Sequence, residues 1–332
     1  MSKQPVASDS TDREHNLSLL RDMLRVRRFE EKCVELYSQQ KIRGFLHLYI
    51  GEEAVGAGLM RAVGEDDAII ATYREHGHAL LRGIPMSAVM AEMYGKAEGC
   101  SGGRGGSMHL FDKSRHFIGG NAIVGGGLPV AVGYGLAAKM RDLNAIAWCV
   151  FGEGAMAEGE FHESMNMASL WQLPVVFCCE NNYYAMGTAL ERSESEINLL
   201  EHANSYRVTA ESVDGMDVLA TEAAARRAAD HVRNGAGPYF IEFRTYRFRA
   251  HSMFDPERYR AKEEVQEREQ HGPIKQFCEQ LRAKGALSDS DLQAMEEGIA
   301  EEIRDAVAYA EAGQLEAPAT LGRFVYSEQG EC

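Results

Sequence analysis

The sequence predicts an α/β fold: a doubly wound, mainly parallel sheet flanked by helices, with helical extensions at both ends. Two apolar runs, residues 145–151 and 175–179, are each the length of a buried strand and each give way to a polar turn, Gly152-Glu153-Gly154 and Asn181-Asn182. Between them, residues 156–170 read as a helix, so the unit is strand, helix, strand. A right-handed crossover places both turns at the carboxyl edge of one parallel sheet, where open α/β sheets bind ligands.

The other elements follow in order. Residues 1–16 are polar and read as a flexible tail, after which Leu17, Leu20, Met23 and Leu24 begin a helical pattern that runs on through Cys33 and Tyr37. Residues 51–63 and 86–94 read as helices, with a short strand at 68–71. Glycine then concentrates between Gly95 and Gly127, more than turns require, which suits backbone that approaches a ligand or takes positive φ. A helix at 217–234, a strand at 239–245 and two charged helical segments within about 261–312 complete the pattern. With no internal repeat and no interdomain linker, residues 17–332 read as one α/β domain.

At 332 residues the chain can bury a large core. A formal charge of -15 disfavours nucleic acid or an anionic membrane as a partner, and the basic or aromatic stripes of single-strand binders are missing. The polar amino-terminal stretch lacks the apolar centre of a secretory signal, and no apolar run approaches the roughly 20 residues of a membrane span. The seven cysteines (Cys33, Cys100, Cys149, Cys178, Cys179, Cys278, Cys332) form no CxxC pair and are odd in number. They read as reduced thiols of a cytoplasmic protein.

The first turn carries the chemistry. Gly152, Gly154 and Ala157 fit a loose dinucleotide pattern, but the carboxylate of Glu153 repels a pyrophosphate unless a divalent cation lies between them. Asn182 offers a second hard oxygen and the carbonyls of the next turn a third, a set that suits Mg²⁺. Taken singly, each residue has a plainer role. Glu153 and Asn182 equally fit a helix cap and a turn, His47 a half-buried strand histidine, Arg74 the partner of a surface acid, and Met186 core filling. His76, His78 and His109 read as structural, and the pairs Glu263-Glu264 and Glu296-Glu297 as solvated helix faces.

A Gly-acid-Gly turn followed, after a spacer of residues 155–180, by Asn-Asn resembles the thiamine diphosphate motif. The run from Glu180 to Thr188 further resembles the alpha subunits of the 2-oxo acid dehydrogenases, the pyruvate enzymes in particular. Four more stretches match that family in the same order: residues 44–54, containing His47; residues 72–77, containing Tyr73 and Arg74; residues 105–109 with 120–125; and residues 245–256, which resemble its mobile active-site loop. The resemblance spans about residues 24–282. It implies the thiamine diphosphate-binding fold, with the cofactor and Mg²⁺ held by Tyr73, Arg74, Glu153, Gly154, Ala155, Asn182 and the backbone carbonyl of Tyr184. Glu153, Asn182 and Tyr184 are then the metal ligands. Ala122, Val124 and Met186 meet the aminopyrimidine, and His251 and His47 face the reacting centre as catalytic residues, His251 also touching the cofactor.

The same resemblance implies decarboxylation of a 2-oxo acid, pyruvate ahead of acetoin or branched-chain oxo acids. It further implies a heterotetramer with two beta subunits, which supply a missing glutamate, and delivery of the acyl group to a lipoyl domain of the dihydrolipoyl acyltransferase. Four departures stand out. Glu153 replaces an aspartate, Glu158 a glutamine, and Arg249 the first histidine of the mobile loop, which leaves proton handling to His251. The loop's second serine is missing, so no kinase control is expected. Two other readings stay open: a nucleotide-dependent oxidoreductase with Glu180 on a ribose, and a catalytically silent paralogue.

Overall fold

The computed structural model describes residues 7–325, so the first six residues of the expected tail and Cys332 lie outside them. The helices are α1 Ala7–Ser38, α2 Glu53–Met60, α3 His76–Leu81, α4 Met86–Met93, α5 Gly127–Met140, α6 Gly159–Leu170, α7 Leu190–Ser193, α8 Leu199–Ser205, α9 Val218–Arg233, α10 Lys262–Gln270, α11 Pro273–Ala283 and α12 Asp289–Ala312. The strands are β1 Ala68–Thr72, β2 Phe117–Asn121, β3 Ala147–Gly152, β4 Val175–Asn181, β5 Tyr184–Ala185, β6 Thr188–Ala189, β7 Thr209–Asp214 and β8 Tyr239–Arg244. Six of them form one sheet in the order β2-β1-β3-β4-β8-β7, with every neighbouring pair parallel. β5 and β6 make a small antiparallel hairpin.

The sheet is buried on both faces, which is why its central strands read as unbroken apolar runs rather than alternating ones. Trp148 and Val150 of β3, with Val176 and Cys178 of β4, face a core closed by Met23 of α1, Leu59 of α2, Ala228 of α9 and Ile299 of α12. Ala147, Cys149 and Phe151, with Val175, Phe177 and Cys179, face a second core closed by Leu128 of α5, Phe161 of α6 and Ala203 of α8. The six cysteines among the described residues are free thiols, as expected.

Two expectations about the elements are corrected. Helix α1 begins at Ala7, inside the segment read as a flexible tail. Its polar residues are anchored rather than loose: Arg13 pairs with Asp291 at 2.8 Å and His15 with Glu222 at 2.6 Å. The carboxyl-terminal region holds three helices, α10 to α12, because Gly272 and Pro273 divide what reads as one charged segment.

The glycine-rich region is only partly turned toward a ligand. Much of it wraps the buried carboxylate of Glu92, which accepts from the backbone N–H of Ser101, Gly103, Gly105 and Gly106 at 2.6–3.1 Å. Gly103 there takes φ +77 and a Cβ would meet the Lys96 carbonyl oxygen at 2.6 Å, so no other residue fits.

Candidate functional site

From β1 the chain reaches β2 on one side and β3 on the other, so the order reverses between β1 and β3. Such a switch point opens a crevice beyond the carboxyl ends of the strands. A cavity of about 290 Å³ lies there, lined by Tyr73 and Arg74 after β1, Glu153, Gly154 and Ala155 after β3, and Asn182, Tyr184 and Met186 after β4. Val124 and His251 complete the predicted set along its wall. Ala122 is exposed in the turn after β2, outside the lining.

Glu153 sits in the tight turn that follows β3 and is 2% exposed. Its Oε2 accepts from the Asn182 backbone N–H at 3.2 Å, whereas its Oε1 is buried with no partner. Burial pushes the carboxyl up to about 7. Asn182 donates through Nδ2 to Glu52 Oε1 at 3.0 Å. Its Oδ1 accepts from Tyr184 N at 3.3 Å and from Arg247 Nη1 at 3.5 Å. An unpartnered buried carboxylate oxygen beside a loosely engaged amide oxygen fits a small hard cation. Among the described residues no group of three or more His, Cys, Asp or Glu could hold a metal ion by itself, so phosphate and water oxygens would complete such an ion's shell.

Gly154 has its own reason: a Cβ there would lie 2.6 Å from that of Ala185, so the glycine lets the β5–β6 hairpin close over the turn. At the tip of that hairpin Met186 takes φ +54 and is 63% exposed, so this side chain is held out by a backbone conformation that disfavours it.

Two guanidinium groups face the crevice, one of which the motif reading passed over. Arg74 is 5% exposed and donates to the carbonyl oxygens of Leu48 at 2.7 Å and His251 at 2.8 Å, with Glu52 Oε2 3.7 Å from its Nε. Arg247 is 2% exposed and donates to the Arg249 carbonyl at 2.9 Å and the Tyr259 hydroxyl at 3.1 Å. A buried arginine within an aromatic run was its only sequence signal. Glu52, also in the lining, gave none beyond lying in a matched stretch, and Glu180 entered only the oxidoreductase reading, as a ribose ligand. Tyr49 donates its hydroxyl to Glu180 Oε1, and His78 Nε2 lies 3.3 Å from the same oxygen.

His47, 6% exposed, stands just behind the lining, its ring 4.5 Å from that of Tyr73 and 5.1 Å from that of His251. The Nδ1 atoms of both histidines are buried and unpartnered. Burial, then the charge of Arg74, holds His47 well below the usual imidazole range and His251 down to about 3. Both are neutral at pH 7 in this state, each with one N–H and one free lone pair.

The three histidines read as structural are each engaged by neighbouring groups. His76 joins Glu30 to Ser107, His78 packs on Tyr49, and His109 meets the Gly120 carbonyl oxygen. Glu264 is a correction. Read as a solvated face, it accepts from the hydroxyls of Tyr184 at 3.2 Å and Tyr246 at 2.7 Å, because α10 packs against the hairpin. The Arg249 side chain is exposed and outside the cavity, whereas Glu158 lines its rim.

Residues 21–319 match the family described as Dehydrogenase E1 component. The chain is 43% identical over 300 residues to "Pyruvate dehydrogenase E1 component subunit alpha" of Rhizobium meliloti (strain 1021), covering 90% of this chain and 86% of that one. The protein of the same name from Zymomonas mobilis subsp. mobilis is 45% identical over 312 residues, 93% and 88% of the two chains. That from Rickettsia prowazekii is 40% identical over 314 residues, 95% and 96%.

Proposed function

The chain belongs to the dehydrogenase E1 component family, and from that premise we propose that it is the alpha subunit of a pyruvate dehydrogenase E1 component. Its activity is the thiamine diphosphate-dependent oxidative decarboxylation of pyruvate with transfer of the acetyl group to a lipoyl domain. One observation carries the reading: buried Arg74 and Arg247 line the switch-point cavity together with Asn182 and with Glu153, whose Oε1 is unpartnered. A diphosphate and a divalent cation satisfy both halves of that arrangement together.

Arg74 and Arg247, with Tyr73, bind the diphosphate; Glu153, Asn182 and the Tyr184 carbonyl hold Mg²⁺. Gly154 and Ala155 bring backbone up to them, while Ala122, Val124 and Met186 contact the aminopyrimidine. Bound thiamine diphosphate supplies the carbon nucleophile and the electron sink for loss of CO₂ from a 2-oxo acid. His47 and His251 offer their buried Nδ1 atoms as hydrogen-bonding and proton-holding sites, His251 on the cavity wall and His47 just behind it.

A beta subunit completes the site in a heterotetramer of two alpha and two beta chains. The outer faces of α5 and α6 expose Val130, Tyr134, Met140, Met167 and Leu170, apolar surface of the kind that assemblies cover. No helix among the described residues is long and apolar enough to cross a membrane.

The test is turnover with an artificial electron acceptor by this chain assembled with its beta partner, with thiamine diphosphate and Mg²⁺ added or withheld. Cofactor-dependent turnover that prefers pyruvate to acetoin and branched-chain oxo acids is expected. A different preference keeps the chemistry and changes the substrate, and no turnover from the assembled complex overturns the reading.

A further inference from the structure

Resting on the reading of Glu153 and Asn182 as cation ligands, we propose that Glu52 is a positioning residue that fixes which end of the Asn182 amide is presented to the ion. A side-chain amide turned over about its last bond exchanges oxygen for nitrogen at almost no steric cost, and only its hydrogen-bond partners decide between the two. A cation accepts one of those orientations alone, because the NH₂ group has no lone pair to give.

At Asn182 three partners agree. Glu52 Oε1, an acceptor, stands 3.0 Å from Nδ2, and two donors, Tyr184 N at 3.3 Å and Arg247 Nη1 at 3.5 Å, stand at Oδ1. The Glu52 contact is the shortest of the three and the only one involving the amide's own N–H. At 3.0 Å it is also the only one of the three at the usual N–H···O separation. The two longer contacts hold the oxygen loosely and leave it able to serve an ion.

Glu52 does not serve as a helix cap. It occupies the residue before α2 but makes no side-chain capping bond to that helix, the usual work of an acid there. It is turned inward instead and is 1% exposed. Its second oxygen, Oε2, has no hydrogen-bond partner and lies 3.7 Å from Arg74 Nε. The carboxylate therefore bridges the guanidinium on the diphosphate side of the cavity and the amide on the cation side. The groups that ligate a metal are commonly oriented in this way by a neighbour that never touches it.

The test is Mn²⁺ binding to the assembled alpha and beta chains with thiamine diphosphate present, read from the electron paramagnetic resonance of the free ion. Glu52→Leu, which leaves Nδ2 without an acceptor, is expected to weaken Mn²⁺ by about tenfold or more. Glu52→Gln, which can still place an acceptor oxygen on Nδ2, is expected to stay within about threefold of the wild type. Should the leucine variant not assemble, Glu52→Asn, polar but one methylene too short to reach Asn182, carries the same expectation. Wild-type affinity in the leucine or asparagine variant overturns the positioning role. A loss in Glu52→Gln as large as in Glu52→Leu overturns it too, since charge rather than orientation is then at work. Wild-type protein that takes up no Mn²⁺ refutes the cation site itself and this role with it, so the two failures are told apart.

Discussion

Arg260 holds Arg247 in place from behind. Its Nη1 donates to the Arg247 carbonyl oxygen at 2.6 Å, its Nη2 to the Arg249 carbonyl at 2.6 Å, and its guanidinium lies 5.2 Å from the Tyr246 ring centroid. Tyr259 continues the arrangement, donating to Asp255 at 2.9 Å, and Asp255 in turn accepts from the His251 backbone N–H at 2.9 Å. The segment that presents Arg247 and His251 to the cavity is thus closed on itself by side chains that do not line it.

Removing that clasp should free the segment without disturbing the sheet. Each charge-assisted bond from Arg260 contributes roughly 1.5–3 kcal/mol, so Arg260→Ala is expected to make residues 247–260 sensitive to trypsin at Arg258 and to lower turnover about 10- to 100-fold. Arg260→Lys should rescue little, since an ammonium cannot reach both carbonyls in a fork. Wild-type resistance to digestion in the alanine variant would show that the clasp does not hold the loop.

Arg74 and Arg247 should separate in their kinetics. Both line the cavity, and loss of either positive charge is expected to weaken thiamine diphosphate about 10- to 100-fold, measured by calorimetric titration at saturating Mg²⁺. Arg74 also ties the Leu48 and His251 carbonyls together. Arg74→Gln should therefore lower turnover even with cofactor saturating, by more than Arg247→Gln does. Equal residual turnover in the two variants would remove that second role from Arg74.

The two histidines set a pH dependence of stability. Burial lowers the folded-state value of His251 to about 3 and that of His47 further, whereas the unfolded chain titrates near 6.5. Between those values the unfolded state binds the extra proton, so stability is lost as pH falls below about 6.5. At roughly 1.4 kcal/mol per unit, two pH units cost up to about 3 kcal/mol for each histidine. His251→Asn should flatten the fall in the cofactor-free melting midpoint between pH 6.5 and 4.5. An unchanged slope would mean that His251 is protonated in the folded site.

The central strands and the Gly152-Glu153-Gly154 turn that lines the cavity were legible because their signals are local. Burial on both faces makes β3 and β4 unbroken apolar runs, and each ends in a polar turn at once recognisable by its residues. β2 was hidden because Gly119 and Gly120 interrupt its short apolar run, a Cβ on Gly120 meeting the Glu75 carboxylate at 2.4 Å. β7 was hidden by being an edge strand, with Glu211 and Ser212 replacing an apolar face. Arg247 and Glu52 enter the site through long-range packing, as Asn182 after β4 meets Glu52, the residue before α2, at 3.0 Å. No spacing rule encodes a contact of that kind.

Glu153 offers the sharpest test, because its cost and its use have opposite signs. In the cofactor-free chain its carboxyl is raised to about 7 by burial. Stability is therefore complete below the unfolded value near 4.3 and is lost as pH rises through 7, when the unfolded chain has released a proton that the folded one retains. Glu153→Gln removes that penalty and should stabilise the cofactor-free chain at pH 8 by up to roughly 3 kcal/mol, with little effect at pH 5. The same substitution removes the charge that holds the ion. Thiamine diphosphate with Mg²⁺ should raise the melting midpoint of the wild type at pH 8 and leave that of Glu153→Gln almost unmoved, and chelation should return the wild type to its cofactor-free midpoint. A variant that is less stable at pH 8, or that still responds to Mg²⁺, would make Glu153 a structural acid and place the cation elsewhere.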